Sequence, residues 1–420
     1  MKMTLVITVI FCAVLRVCAQ SPLGLTYPLG VPDLAVSGAS AAMGSGGAAV
    51  VDEYMGASVN PANAAVGNRS VFSALISYDI ANVRDNGAST TASGYMPKLL
   101  SLIIPVGRAG NLGFSMQKRY DANLNFYTAD AQRIDETSSS SSTVEIRRSG
   151  GLSSWQAGWA YRFGNGVALG VLYERLFFNL NSRNVFESTI FYNLSSGTES
   201  YSATAVDSVV TAFASNGLRF GMQIPVHEKV TLGFAAEYLL PGSDNGTETG
   251  GYRRSDTASV VNGYEKKLSV TLPPSMSIGA AYRLDDHWLF AADANSVLWE
   301  FYERDSESGE IERCFGLSLG VRYLPAANIL SSKYWEKILY GAGVRYATLP
   351  NSKYEKAREY AFSVGAGLPI PRDGGMVDIV VGFGRRSDPN YGNYEENIVK
   401  LQIGLNGGRN WFQKDASKEY

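Results

Sequence analysis

Four arginines carry the side-chain pattern in this chain that most invites a chemical reading. Arg162, Arg283, Arg322 and Arg345 each stand beside a tyrosine, in the settings Ala160-Tyr161-Arg162, Ala281-Tyr282-Arg283, Val321-Arg322-Tyr323 and Val344-Arg345-Tyr346. A guanidinium presents a planar fork of donors that matches a carboxylate. The partner is either a carboxylate of the chain itself, with Asp52 and Glu53 as candidates, or the carboxylate of a ligand. Catalytic patterns are missing. The two histidines, His227 and His287, fall in turn-like sequence and not beside a serine they could activate. No Cys/His cluster offers a zinc site. No phosphate-binding loop occurs, and Gly164-Asn165-Gly166 reads as a hairpin turn. The expectation is a protein that is not an enzyme and holds neither metal nor cofactor.

The elements that would position these arginines are strands. The 420 residues include 18% charged residues, 44 Gly and 24 Tyr against 18 Phe, with a mean hydropathy of -0.07. Few charges, many glycines and a middling hydropathy suit a wall that shows one face to lipid and the other to a polar lumen. Residues 1–19 read as a secretory signal: Lys2 is the positive start, Leu5 to Leu15 is an apolar run too short to span a bilayer, and Val17-Cys18-Ala19 is a small-residue exit. Cleavage is expected before Gln20, with lipidation at Cys18 as the alternative. The chain beyond the signal keeps Cys314 alone, which excludes an intrachain disulfide. Without Lys2 and Arg16 it has 35 basic and 39 acidic residues, a net charge of about -4, and nothing in this balance suggests nucleic acid. No later uncharged apolar run is long enough for a membrane helix.

From Val71 onward the chain alternates with a period of two. Val230, Leu232, Phe234, Ala236, Tyr238 and Leu240 form one face against Thr231, Gly233, Ala235, Glu237 and Leu239. Phe315, Leu317, Leu319, Val321 and Tyr323 oppose Gly316, Ser318, Gly320 and Arg322, and Val399, Leu401, Ile403 and Leu405 oppose Lys400, Gln402, Gly404 and Asn406. Repeated along the chain, with a second face rich in Gly and Ser, this is the pattern of an outer-membrane barrel. Short turns alternate with long polar connections such as Ala81–Pro97, Ser138–Ser142, Asn181–Ser202 and Pro241–Lys267. Counting under that alternation predicts about fourteen antiparallel strands over residues 70–412, starting near 70–80 and ending near 395–406. Pro273-Pro274 falls inside one of them and predicts a bulge or kink. Aromatics at strand ends, among them Trp288, Trp299, Tyr302, Tyr323, Tyr340 and Trp411, read as interfacial girdles. Alternation then aims the four arginines inward, because a charge at mid-depth on the lipid side costs about 2–4 kcal/mol.

Residues 20–69 follow other rules. Gly38–Ala49 is almost entirely small residues, and Asp52-Glu53 and Val59-Asn60-Pro61-Ala62 follow without period-two alternation. This segment, with Leu272-Pro273-Pro274-Ser275 leading into Ile278–Arg283 and Asp293, Ser363–Pro369, and the C-terminal strand closed by Trp411-Phe412, resembles the FadL-type long-chain fatty-acid transporters and related PorV-like barrels. The resemblance implies a fourteen-strand transmembrane barrel plugged by an N-terminal hatch, with residues 413–420 as a periplasmic tail. It also implies uptake of hydrophobic small molecules such as long-chain fatty acids across an outer membrane. A barrel that wide is not filled by its own wall side chains, so a plug is physically sensible. Gly44, Gly46, Gly47, Asn60 and Pro61 are the candidate gating residues. The arginines anchor the plug or meet a ligand carboxylate. Expected partners are a hydrophobic ligand and outer-membrane lipid, with the chain acting as a monomer. Two other functions stay open: a scaffold for secretion or other surface proteins, and a nonspecific porin.

Overall fold

In lipid every backbone donor and acceptor needs a partner within the protein, and a sheet meets that demand by closing on itself. The computed structural model describes residues 27–32, 37–85, 88–134, 137–194, 197–240, 245–254, 262–305, 307–308, 311–326, 333–350, 357–370, 375–388 and 394–409. The expected signal, Trp411-Phe412 and the tail 413–420 lie outside the described residues. A two-residue strand, β1 (Val31–Pro32), sits within the bore, and a short helix, α1 (Gly38–Ala42), follows. The wall begins with β2 (Ser70–Asp85), β3 (Ala88–Pro105), β4 (Asn111–Asp121), β5 (Leu124–Arg133), β6 (Ser138–Arg162), β7 (Ala168–Leu194) and β8 (Gly197–His227). It continues with β9 (Val230–Leu239), β10 (Asn245–Arg254), β11 (Asn262–Thr271), β12 (Ser275–Arg283) and β13 (Trp288–Val297). After the small outer strands β14 (Glu303–Arg304) and β15 (Glu307–Ser308) come β16 (Cys314–Tyr323), β17 (Leu339–Thr348), β18 (Arg358–Ile370), β19 (Gly375–Ser387) and β20 (Glu395–Arg409).

β4 with β5, β9 with β10, and β11 with β12 are single wall strands interrupted once, so fourteen antiparallel strands surround the bore. The last returns to the first in an unbroken ladder from Ser70↔Arg409 to Arg84↔Glu395. The faces follow the alternation: Leu319 is 59% exposed and its neighbour Ser318 is 8% exposed, although both lie mid-strand in β16. Ile278, Leu317, Phe383 and Ile403 extend the outward apolar stripe. A stripe of this extent is matched by hydrocarbon, not by water. One aromatic belt, with Trp288 4.4 Å from Tyr323, rims the turn side; another, with Tyr346 5.8 Å from Phe315 and 5.1 Å from Tyr360, rims the loop side. This places an outer-membrane barrel in its bilayer.

Two expectations are corrected. Trp299 and Tyr302 are not girdle residues. They are buried in an apolar cluster at the outer mouth with Leu29, Leu176, Phe178, Phe213, Leu272 and Ile311, because the turn Trp299–Phe301 folds back over the bore. Among the described residues, much of what reads as long polar loop is strand. β6, β7 and β8 run 25, 27 and 31 residues, against about 9–11 needed to cross a bilayer. Their outer halves, with β5, β10 and β11, project as a six-stranded sheet. Such a sheet has water on both faces, so the apolar alternation that marks a strand is weak there.

Leu319→Arg is expected to lower barrel stability by about 2–4 kcal/mol, the cost of a charge at mid-depth, whereas Ala129→Arg on the projecting sheet should stay within about 0.5 kcal/mol. Urea unfolding in lipid bilayers measures both; equal effects would contradict the assigned bilayer position.

Candidate functional site

The bore is occupied by the segment from Ser37 to Val66, and its seat explains the glycines of the wall. A β-carbon on Gly170 would collide with the Pro61 carbonyl, on Gly221 with Asn60 and Pro61, on Gly233 with the Ala48–Ala49 peptide, and on Gly343 with Met43 and Gly44. The inward glycines are therefore the surface on which a second layer of backbone rests.

Side chains then fasten the segment. Asn60 caps the short helix Pro61–Ala65 by accepting from Ala62 N at 3.0 Å. Its amide nitrogen donates to the carbonyls of Ala48 (2.8 Å), Met222 (3.1 Å) and Phe234 (3.3 Å), tying two parts of the segment to β8 and β9. Asp293 of β13 accepts from the backbone N–H groups of Gly47 and Ala48, both at 2.8 Å. Gly44 and Gly47 adopt positive φ, +72° and +128°, and Gly44 N donates to Ser363 Oγ at 3.1 Å. Gly46 offers its carbonyl to Ser40 Oγ at 2.8 Å.

The four predicted arginines do not gather at one place. Arg322 forms an ion pair with Asp52, linking wall and segment. Glu53 instead pairs with Arg69, whose Nη2 also reaches the Tyr54 hydroxyl at 2.7 Å. Burial, aided by the neighbouring Glu53, pushes the Tyr54 hydroxyl up to about 12, so it stays neutral at physiological pH. Arg345 pairs with Glu359 at 3.5 Å and lines the central cavity. Arg162 donates to the Gly166 carbonyl at 2.9 Å in a periplasmic turn, and Arg283 is exposed at the same rim.

Above the segment and beneath the aromatic mouth lies a cavity of about 120 Å³. Its lining includes Arg119, Arg219, Arg345, Asp293, Asn295, Val59 and Met276. Arg119 is held between two carboxylates, Glu174 at 2.9 Å and Glu237 at 2.9 Å. Gln156 donates to Glu174 at 2.9 Å, and Ser275 Oγ donates to Glu237 at 2.7 Å. Arg219 donates to the Val59 carbonyl at 3.4 Å and has no carboxylate within salt-bridge range among the described residues. Arg119 and Arg219 escaped the sequence reading. The cue was present: Arg219 alternates with Phe220 on a barrel strand. Arg119 follows Asn111, Gly113, Ser115 and Gln117 on the inward parity of β4, immediately before the ladder shifts at Tyr120.

The cavity meets the wall where the wall is interrupted. Pairing of β9 with β12 ends at Ala236↔Met276, and pairing of β10 with β11 resumes at Asn245↔Ser269. Leu272-Pro273-Pro274 lies in this break, because proline cannot donate to a ladder. Both Ala236 and Met276, which belong to the outward set of their strands, line the cavity beside inward Ala235 and Ser275. The cavity therefore abuts the sheet at the place where its ladder is interrupted.

Solved structures share this architecture. The Ralstonia pickettii toluene transporter TbuX aligns with a TM-score of 0.59 at 13% identity, covering 90% of this chain and 99% of that one. A Pseudomonas aeruginosa FadL homologue gives 0.56 at 12%, covering 90% and 98%, and the P. putida toluene transporter TodX 0.54 at 15%, covering 91% and 100%. At these identities the likeness establishes the barrel fold. No curated protein matches the sequence. The BamG family profile matches residues 1–417, and the chain belongs to that family.

Proposed function

We propose that this barrel passes hydrophobic small molecules across the outer membrane, with the bore segment as its hatch and the break beside Ala236 and Met276 as a lateral path to the bilayer. The observation that carries this reading is the cavity that abuts the wall at that break. The three similar structures are two toluene transporters and a FadL homologue, which supports the same reading. Size favours a compact ligand. An apolar cavity of about 150 Å³ holds benzene, and drug-sized ligands need roughly 300–1,000 Å³. A cavity of about 120 Å³ suits a single aromatic ring in this state, and a long-chain fatty acid requires the mouth cluster to open. Arg219 gives the chamber a polar end for a ligand carboxylate or other acceptor.

A second reading, a scaffold for other surface proteins, draws on a different observation: the projecting sheet, which the transport reading leaves without a role.

Liposomes carrying the purified barrel should take up an aromatic acid such as toluate faster than empty liposomes. Ala236→Trp should slow that uptake several-fold while heat-modifiable migration, the sign of a folded barrel, is retained. Uptake no faster than in empty liposomes would sink the transport reading, and unchanged uptake by Ala236→Trp would sink the lateral route. Gly233→Val should push Ala48 off its seat and raise leakage of small polar solutes; a folded variant that stays tight would show that the segment does not seal the bore.

A further inference from the structure

We propose that the chamber recognises a single-ring carboxylate, and that Arg219, in taking hold of it, releases the bore segment at Val59. The inference rests on the transport reading, which makes the chamber a ligand site. It adds the class of ligand and the latch that the ligand undoes.

The charges around the chamber are uneven. Arg119, Arg219 and Arg345 line it, against the carboxylate of Asp293. Three of these four groups are already committed. Arg119 gives both terminal nitrogens to Glu237 and one of them also to Glu174. Arg345 pairs with Glu359. Asp293 spends one oxygen on Gly47 N and the other on Ala48 N. Arg219 differs. Its one hydrogen bond among the described residues runs from Nη2 to the Val59 carbonyl at 3.4 Å, beyond the usual N–H···O range of about 2.7–3.2 Å. A guanidinium carries several donors, so a single long bond leaves most of that capacity unused. Gln117 adds an independent sign. It lies on the same lining, 2% exposed, with neither side-chain amide atom hydrogen-bonded among the described residues. Buried polar groups are normally paired, and here two of them wait for a polar partner.

The rest of the lining selects the body of the ligand. Val59, Ala235, Ala236, Met276 and Val297 are apolar, and the volume of about 120 Å³ has room for a ring and not for a long chain. A ring against this side with its carboxylate on Arg219 satisfies both halves of the chamber. A neutral hydrocarbon leaves Arg219 as it stands, and a small inorganic anion leaves the apolar half unfilled.

The same guanidinium tethers the bore segment. Val59 directly precedes Asn60 and Pro61, which rest on Gly221 of β8, and Asn60 donates to the Met222 carbonyl of that strand. Arg219 is thus the first of three neighbouring holds of β8 on the stretch Val59–Pro61. A planar carboxylate accepts two parallel bonds from a guanidinium, each of about 2.7–2.9 Å, and outcompetes one distant carbonyl. The Val59 carbonyl then loses its donor. An acceptor left without a partner is costly until it meets water, so occupation of the chamber favours movement of this stretch off the wall. Recognition and release are one exchange of partners at Arg219.

The full-length protein in lipid nanodiscs would be titrated calorimetrically with benzoate and with benzamide, its neutral counterpart of the same shape. Benzoate should bind about tenfold more tightly. Arg219→Met, with its fold checked by heat-modifiable migration, should bring benzoate down to the level of benzamide. Hydrogen exchange reads the latch. The amides of Ala62, Asn63 and Val66, bonded within the turn that follows Val59, should exchange several-fold faster with benzoate than with benzamide. Those of Ala41 and Met43, bonded in and just after α1, should keep their rate. Arg219→Met should show the faster exchange without any ligand. Equal affinity of the unaltered protein for the two compounds would overturn the carboxylate site, whatever the variant does. Undiminished benzoate binding by Arg219→Met would overturn the role of Arg219, and tight benzoate binding with unchanged exchange at 62–66 would overturn the latch. Benzoate binding that depends on Arg219, in a protein that fails to carry toluate into liposomes, would uphold this site and sink the transport reading alone.

Discussion

The ladder between β2 and β20 is the constraint on which the rest of the molecule depends. Its fifteen consecutive pairs, Ser70↔Arg409 to Arg84↔Glu395, turn an open sheet with two edges into a wall with none at membrane depth. Each backbone polar group left bare in hydrocarbon costs several kcal/mol. Closure therefore precedes every other property. Once fourteen strands close, the bore is too wide to be filled from the wall, and the chain supplies its own filling from residues 37–66.

That filling sets the character of the lumen. Much of the inward face is glycine because backbone rests on backbone there. Gly170, Gly221, Gly233 and Gly343 are the receiving half of a contact whose other half is Pro61, Asn60, Ala48 and Met43. Small residues on both sides let the layers approach closely. The few strong anchors, Asn60 to three carbonyls, Asp293 to two N–H groups and Arg322 to Asp52, fix register on an otherwise shallow surface.

How much of this was legible follows from where each signal arises. Alternation such as Phe315–Tyr323 arises from a strand between lipid and lumen, so wall strands and their count could be read directly. Ser138–Ser142 and Asn181–Ser202 lie where water wets both faces; alternation vanishes, and strands there look like loops. Asn60-Pro61 and Asp293 stood out only through the stretches that resemble FadL-type transporters; their contacts, a helix cap and a carboxylate on two N–H groups, come from the fold. Arg322 could be placed inward by parity, but its partner Asp52 is 270 residues away, and nothing local chooses it over Glu53. Trp299 misled because a tryptophan at a strand end has two apolar destinations, the interface and the mouth. Arg119 shares the inward parity of Ser115 and Gln117, but its partners Glu174 and Glu237 are 55 and 118 residues away, and nothing local marks them.

The break near Pro273-Pro274 shows why the site stands where it does. A wall strand loses its ladder there, and irregular backbone at membrane depth survives where protein covers it. The coverage is specific: Leu240 N donates to the Asn216 carbonyl at 2.8 Å, and Leu298 N to the Pro274 carbonyl at 3.0 Å. Across the gap Ser275 Oγ holds Glu237, and Arg119 holds Glu237 and Glu174 together. One charge-assisted side-chain bond, Ser275 Oγ to Glu237, spans the missing main-chain pairing, and Arg119 of β4 steadies Glu237. A single bond of this kind stands in for a continuous ladder and can part without unzipping neighbouring strands. The prolines that interrupt the wall and the Ser275–Glu237 bond that bridges it therefore belong together: at this break side chains hold what backbone holds in the neighbouring ladders.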